Sequence, residues 1–262
     1  MLRALRTAAL GMSAQQTGVD NIAHNLANAN TTAYKRSTVI FQDLLYQTVQ
    51  AQGQAEAQTA ARPASLQIGH GAAPVATMRN FTQGSLEHTG NTFDLAINGE
   101  GFLQVRLPNG QVAYTRDGAL TISADGNLVS QTGLPLEPDL TIPPDASNIH
   151  ISQDGLLAVR LDGDPNLVEI GQIELARFMN PAGLNAMGGN LYQQTDASGE
   201  PTIGTPGQDG IGVLRQGYIE VSNVDVVQEM VGLISAQRAY EINSKMVTTS
   251  EEMLQIANNL KR

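Results

Sequence analysis

The apolar positions of this chain follow a helical spacing at both ends and a strand-like pattern between them. Near the C-terminus they recur at steps of three or four residues, which is typical of one face of a helix. The stretch contains no proline and a single glycine, Gly232. We predict a helix over 224–260, roughly 55 Å long at about 1.5 Å per residue.

One line of positions on this helix forms an apolar seam that needs a partner helix. Arg238 and Thr249 interrupt it, and two successive steps of four at Arg238 locally unwind a supercoil. Either the Arg238 stem covers apolar surface while its charge stays in water, or Arg238 fixes the register by binding acceptors on a neighbouring helix. We favour the second interpretation. The seam consists of Val224, Val227, Val231, Ile234, Arg238, Ile242, Met246, Thr249, Met253, Ile256 and Leu260.

A second heptad seam near the N-terminus predicts the partner helix. Its positions are Leu2, Leu5, Ala9, Met12, Gln16, Val19, Ala23 and Leu26. Asn21, Asn25 and Asn28 fall on the opposite face, where an ordinary surface helix carries Lys and Glu. This amide face either contacts other polar protein surface or is simply solvated. The two terminal helices can pair with each other or with other copies.

The middle of the chain has the texture of an antiparallel β domain. All 11 prolines, and all 26 glycines except Gly11, Gly18 and Gly232, lie between Gly53 and Gly217. Pairs such as Asn109-Gly110 and Asp125-Gly126 separate short apolar runs and favour tight hairpins. We expect one strand over 168–178 and mostly loop over 183–212.

These patterns predict an α+β fold with terminal helices that pair as a helical coiled coil and a mainly antiparallel β domain. We place the paired helices at 1–30 and 222–262, an extended or hairpin region at 31–70 and the β domain at 71–221; the family resemblance given below implies that these are a core, an intermediate and an outer domain. Within the intermediate domain, 34–46 is expected to be extended and then to form a short helical turn. The segment 47–64 is rich in Gln, Ala, Gly and Thr and is read as a linker or a hairpin.

Composition excludes several classes of function. The net charge of −10 and pI of about 4.8 argue against a nucleic-acid partner. The absence of cysteine excludes disulfides, thiolate catalysis and cysteine-bound metal. No apolar run approaches the ~20 residues of a membrane span. The apolar run near Arg3 and Arg6 is too short for a signal peptide, so we expect any export to retain the first residues.

No motif indicates an enzyme, a cofactor or a metal site. The four histidines lack metal-ligand spacing, and Gly99-Glu100-Gly101 and Gly210-Ile211-Gly212 lack the third glycine of a nucleotide-binding fingerprint. Asp162-Gly163-Asp164 lacks the other ligands of a calcium loop. We interpret all three as turns.

Several motifs closely resemble those of the bacterial flagellar rod and hook family, and together they cover nearly the whole chain. They are Asn21–Arg36, whose family signature usually has glycine at or near Ala33, together with Thr89–Phe102, Tyr114–Gly118, Ser222–Val224 and Ala236–Glu241. The resemblance implies an axial subunit of a helical tube, with the terminal helices innermost and the β domain outermost. Within this family, the glutamine-rich 46–63 region favours a distal-rod subunit over a proximal-rod or short hook subunit.

The resemblance also implies partners. These are other copies of the chain, the proximal rod proteins, the hook protein, the P-ring and L-ring proteins and the flagellar type III export apparatus. It implies a location in the basal body, in a rod that crosses the periplasm towards the outer membrane and transmits motor torque. The expected subunit interface comprises Leu2, Leu5, Met12, Gln16, Val19, Asn21, Asn25, Leu26, Asn28, Val227, Val231, Ile234, Arg238, Tyr240, Ile242, Met246, Met253, Ile256 and Leu260.

A different class also fits the pattern, namely a secreted β-domain adhesin or enzyme with coiled-coil ends. That class predicts a closed dimer or trimer rather than an open polymer. A peptidoglycan-cleaving enzyme is a weaker alternative because no catalytic constellation supports it. For the axial subunit we expect the terminal helices to be largely disordered in the free monomer, since neither buries its seam alone.

Overall fold

A computed structural model describes residues 2–50, 65–161 and 166–259. By its internal contacts the chain divides into two compact units. The first comprises Met1–Ala27, Ser37–Met78 and Asp225–Arg262, and the second comprises Asn28–Arg36 and Arg79–Val224. The chain therefore passes between the units four times.

The division into three domains, at 1–30 with 222–262, at 31–70 and at 71–221, stays a prediction.

The first unit contains the two long helices, α1 (Leu2–Ala27) and α2 (Val226–Asn259). Asp225 caps α2, because its Oδ1 accepts hydrogen bonds from the amides of Val227 at 2.9 Å and Gln228 at 3.2 Å. The two helices pack against each other. Helices at both ends of the chain are thus confirmed, and their pairing as a coiled coil remains a proposal.

Two small antiparallel pairs complete the first unit. Strand β1 (Ser37–Asp43) pairs with β4 (Ala72–Arg79), and β2 (Tyr46–Gln50) pairs with β3 (Leu66–Gly69). The helical turn predicted before Tyr46 is wrong, because the chain stays extended into β2. Most of the 47–64 segment, from residue 51 onward, lies outside the described residues.

The second unit carries the remaining strands. They are β5 (Leu86–His88), β6 (Leu95–Asn98), β7 (Phe102–Arg106), β8 (Val112–Thr115), β9 (Leu120–Ile122), β10 (Leu128–Ser130), β11 (Leu136–Glu137), β12 (Ala146–Ile151), β13 (Leu156–Leu161), β14 (Leu167–Gln172), β15 (Leu175–Arg177), β16 (Asn185–Gly188), β17 (Leu191–Gln193), β18 (Thr202–Gly204), β19 (Val213–Gln216) and β20 (Tyr218–Glu220). The largest sheet has the order β16-β17-β8-β7-β15-β18, with β11 also paired to β7. A three-stranded sheet β12-β13-β14 and the pairs β9–β10, β6–β19 and β5–β20 complete the unit.

Two predicted hairpins are confirmed. Asn109-Gly110 joins the antiparallel strands β7 and β8, and Asp125-Gly126 joins β9 and β10. The single strand predicted over 168–178 is wrong, because β14 and β15 belong to different sheets. Most of 183–212 is loop as predicted, but the short strands β16, β17 and β18 also lie there and extend the largest sheet. The turn predicted at Asp162-Gly163-Asp164 lies outside the described residues.

An apolar core holds the second unit together. Leucine, isoleucine and valine side chains of β6, β7, β13, β15 and β19 form one cluster. A smaller aromatic cluster contains Phe102, Tyr114, Phe178 and Tyr192. Its rings meet edge to face, as between Tyr114 and Phe178 with centroids 4.8 Å apart. No helix in the described residues is long and apolar enough to cross a membrane.

Candidate subunit interface

The predicted seam of α2 lies on the exposed side of the helix. Seven of its apolar side chains are between 47% and 71% exposed: Val227, Val231, Ile234, Ile242, Met246, Met253 and Ile256. Arg238 is exposed in the middle of this line, and Tyr240 is 41% exposed. We call these seven side chains with Arg238 the outer seam. It places a largely apolar surface, interrupted by Arg238 and Thr249, on a helix that already packs on its other side.

The fully buried side chains of α2 are small or polar instead, and the large apolar Leu233, Val247 and Leu254 on the same side are half-buried. Glu229, Ala236 and Ser250 are the fully buried residues, at intervals of seven and fourteen residues. Asn25 Nδ2 donates to Glu229 Oε2 at 3.3 Å. A β-carbon at Gly11 would lie 3.0 Å from Asn243 Nδ2 and one at Gly232 would lie 3.5 Å from Ile22 Cδ1, so the helices approach closely at both glycines.

Within one chain α1 does not bury the outer seam. Of the two predicted pairings of this seam, with the N-terminal helix or with other copies, the pairing with other copies stays a prediction. Val227 and Ala236 are nine residues apart, which is about 180° around a helix with 3.6 residues per turn. Both lines repeat at heptad spacing. In this chain α1 covers the line that contains Glu229, Ala236 and Ser250 and leaves the outer seam exposed.

The predicted interface residues of α1 are divided between half-buried and exposed positions. Leu5, Met12, Val19 and Leu26 are half-buried, and Gln16 is exposed. Leu2 begins α1, but its side chain is not among those described, and Leu260 lies outside the described residues. Asn28 is half-buried in the second unit, where its Oδ1 accepts a hydrogen bond from Thr31 Oγ1 at 3.1 Å.

The amides of α1 bind the start of β1. The Nδ2 groups of Asn21 and Asn25 each donate to the Ser37 carbonyl oxygen at 2.8 Å. The Ser37 amide donates to Asn25 Oδ1 at 3.0 Å, and Asn25 is only 1% exposed. For these two asparagines, the interpretation of the amide face as a contact with polar protein surface is confirmed within one chain. Their role between copies stays a prediction.

A buried ionic cluster lies inside the second unit. Lys35 Nζ is 2.6 Å from Glu220 Oε1, and both side chains are fully buried. Arg116 Nε lies 3.7 Å from Glu220 Oε2, which accepts no hydrogen bond in the described part of the chain. Arg116 also donates to the carbonyl oxygens of Gly99 and Gly101. Two cations thus share one carboxylate, with backbone carbonyls taking up their remaining donors.

Burial and like charge shift the pKa values of the two cations. Desolvation, and then the neighbouring Arg116, lower the pKa of Lys35 from 10.5 to about 8, against the opposing effect of Glu220. Desolvation also lowers the pKa of Arg116, again opposed by Glu220. The cluster therefore holds the 28–36 segment to the β strands through charges in a largely water-free site.

Asn223 ties together the stretches of chain at three of the four points where the second unit passes to the first. Its Oδ1 accepts a hydrogen bond from the Arg36 amide at 2.7 Å. Its Nδ2 donates to the carbonyl oxygens of Asn80 at 2.9 Å and Thr82 at 3.0 Å. One amide side chain thus fixes the spacing of these three chain segments.

Sequence analysis missed both the ionic cluster and the Asn223 contacts. Lys35, Arg116 and Asn223 lie in three separate motifs that carry the family resemblance, and Glu220 lies just before the third. The presence of all four residues in or beside these motifs was the available signal for the contact. Lys35 and Glu220 are 185 residues apart, however, and nothing in the sequence shows that they meet. In the described residues no group of three or more His, Asp or Glu side chains could hold a metal ion.

Together, the helical ends, the central β unit and the matched segments define a class, the axial structural proteins of the bacterial flagellum. Residues 5–35 match the family described as flagella basal body rod protein. Residues 96–159 match the flagellar hook protein FlgE/F/G D1 domain, and residues 215–260 match the flagellar basal body rod FlgEFG protein C-terminal family.

Similar proteins narrow the class. The chain is 48% identical to the flagellar basal-body rod protein FlgG of Borreliella burgdorferi, with all of both chains covered. It is 45% identical to FlgG of Caulobacter vibrioides, over 99% of this chain and all of the other. It is 33% identical to the flagellar hook-basal body complex protein FlhP of Bacillus subtilis, again over both full lengths. This chain belongs to the FlgG family of flagellar basal-body rod proteins and is a structural rod subunit of the flagellar basal body.

Proposed function

We propose that this subunit polymerises into the stiff helical tube of the distal rod, with the outer seam packing on the terminal helices of neighbouring copies. The observation that carries the proposal is the row of seven large apolar side chains left open on α2. Such a row is a candidate contact surface, because contiguous exposed apolar patches mark interaction sites. A neighbouring helix can cover it at heptad spacing.

A contact between different surfaces of identical subunits builds an open helix when its rotation does not close a ring. The outer seam of one copy against the α1 side of the next would be such a contact. The resulting tube would transmit motor torque to the hook and filament through many equal contacts, and its bore would form part of the export channel. A subunit at this position in the flagellum would have several partners. These are the proximal rod, hook, P-ring, L-ring and type III export proteins.

Replacement of Ile242 by glutamate tests the seam. A charge at this position would have to be buried at the proposed contact, so we expect Ile242→Glu to abolish polymer in sedimentation and negative-stain electron microscopy. The matched control is Gln237→Glu, an exposed position about 140° away around the helix, which should still polymerise. Equal polymerisation of both variants, or a closed dimer or trimer in the wild type, contradicts the proposal. The closed form would favour the secreted adhesin or enzyme instead.

Assignment to the distal rod rather than to the proximal rod or a short hook is a separate proposal. Its support is the FlgG name of full-length relatives and the glutamine-rich segment between β2 and β3. Deletion of residues 51–63 should leave assembly intact but yield curved or more flexible tubes, visible as a shorter persistence length in electron micrographs. Straight tubes of unchanged stiffness would argue for another axial position.

A further inference from the structure

We propose that Met246 and Met253 form an oxidation site that controls assembly, an inference that rests on the proposed function of the outer seam. The chain has no cysteine, so its eight methionines are its only sulfur centres. Met246 is 50% exposed and Met253 is 47% exposed, and both lie within the outer seam of α2. Their thioethers are therefore open to solvent in the free subunit and covered in the polymer.

The chemistry requires only a hydroperoxide. The sulfur lone pair attacks the peroxide, so that one S–O bond forms and the O–O bond breaks. Sulfur loses two electrons, and the second hydroxyl of hydrogen peroxide takes up the released proton and leaves as water. The product sulfoxide is polar and chiral where the parent side chain was apolar and flexible.

A sulfoxide on the outer seam opposes assembly for a physical reason. Beside the two residues on α2 lie the apolar Ile242 and Ile256 and the hydroxyl of Thr249, which is a single donor between two sulfur atoms. The nearby Ser250 hydroxyl already donates to the Met246 carbonyl oxygen at 2.7 Å. Burial of that oxygen without a hydrogen-bond donor is unfavourable. Oxidised subunits are thus excluded from the polymer, while subunits already assembled are shielded from the same oxidant.

Met179 supplies an internal control. Its side chain is 97% exposed, and it belongs to the second unit, whereas the terminal helices belong to the first. Hydrogen peroxide should oxidise Met179 at least as fast as the two seam methionines. Its oxidation should not affect polymerisation, because it adds a polar atom to a surface that the outer seam does not include.

The test uses the full chain, treated with hydrogen peroxide as monomer, freed of oxidant and then set to polymerise. We expect the pelletable fraction of oxidised wild type to fall by roughly tenfold or more. Oxidised M246L/M253L should polymerise like the untreated protein, whereas oxidised M179L should fail like the wild type. Failure of oxidised M246L/M253L, or full assembly of the oxidised wild type, overturns the proposal.

Peptide mass spectrometry gives a second readout. Preformed polymer exposed to peroxide should gain sulfoxide at Met179 but several-fold less at Met246 and Met253 than the monomer does. Equal oxidation in both forms also overturns the proposal. A wrong assignment of the outer seam as the subunit interface would be visible without any oxidant. In that case untreated Ile242→Glu and Gln237→Glu would polymerise equally.

Discussion

At the scale of single residues, Glu220 is the side chain on which the second unit most depends. It is the one carboxylate between two buried cations, and Glu220→Gln removes its charge while keeping its shape. We expect a loss of about 3–5 kcal/mol in the free energy of unfolding, since two buried cations would remain without a counter-charge. Urea denaturation measures the change.

Glu137→Gln is the matched control for this variant. Glu137 pairs with Arg106 at 3.1 Å, and the two side chains are 33% and 40% exposed. An exposed pair contributes about 0–1 kcal/mol, so this variant should remain within about 1 kcal/mol of wild type. Similar losses of unfolding free energy for both variants would show that burial does not make the Lys35–Glu220–Arg116 cluster more important for stability than an exposed ion pair.

The shifted pKa of Lys35 predicts a pH dependence. Its value falls from 10.5 in the unfolded chain to about 8 in the folded chain. Between these values the unfolded chain binds the proton that the folded chain has released, so stability rises with pH. Relative to Lys35→Met, wild type should gain on the order of 1–3 kcal/mol from about pH 7 to 10 in urea titrations. A relative loss over that range would reverse the assigned direction.

Ala33 occupies a conformation that favours glycine. Its φ is 55°, it is 1% exposed, and its amide donates to the Glu220 carbonyl oxygen at 2.8 Å. Ala33→Gly should leave the thermal midpoint unchanged or raise it, whereas Ala33→Val should cost about 2–3 kcal/mol, because a β-branched residue is strained at positive φ. Calorimetry on both variants checks this. A more stable valine variant would contradict it.

At the scale of elements, glycine substitutions separate helix propensity from close packing. A β-carbon at Gly232 of α2 would meet Ile22 at an ordinary distance of 3.5 Å. Gly232→Ala should therefore stabilise the chain by about 0.5–1 kcal/mol through helix propensity alone. At Gly118 the new β-carbon would collide with the Leu95 carbonyl oxygen, so Gly118→Ala should destabilise it. Thermal unfolding followed by circular dichroism should show opposite shifts for the two variants.

The elements also show where sequence reasoning succeeds and where it fails. Periodicity and turn residues identified both terminal helices and the hairpins at Gly110 and Gly126, because those signals are local. The side of α2 that faces α1 could not be predicted from the sequence. Two lines of positions repeat at the same heptad spacing, and only the fold shows which of them packs against α1.

At the scale of the whole molecule, the contact between α1 and α2 leaves the outer seam of α2 exposed in an isolated subunit, so much of the apolar surface of that helix is not buried there. We expect dilute monomer to show markedly less helix than polymer, with folding of the ends coupled to assembly. Far-ultraviolet circular dichroism on the two forms measures the gain. Equal helicity in both would mean that the terminal helices are stable without neighbours.

The motifs that resemble a known family correctly predicted a structural protein of the flagellum, whereas charge and composition only argued against other classes of function. Nothing local in the sequence indicated that Lys35, Arg116 and Glu220 meet. Their charges are common residue types in separate motifs, and only the long-range path of the strands brings them together. The apolar positions of the outer seam, in contrast, were predicted from the sequence. Only the structure shows that they are exposed.

The four passages of the chain between its two units have a mechanical consequence. A tensile load applied to one unit and resisted by the other divides among four covalent segments, three of whose ends Asn223 gathers within the second unit. Fracture of any single segment would leave three to bear the strain. A shaft assembled from such subunits would tolerate peptide cleavage at one point in a subunit without coming apart there.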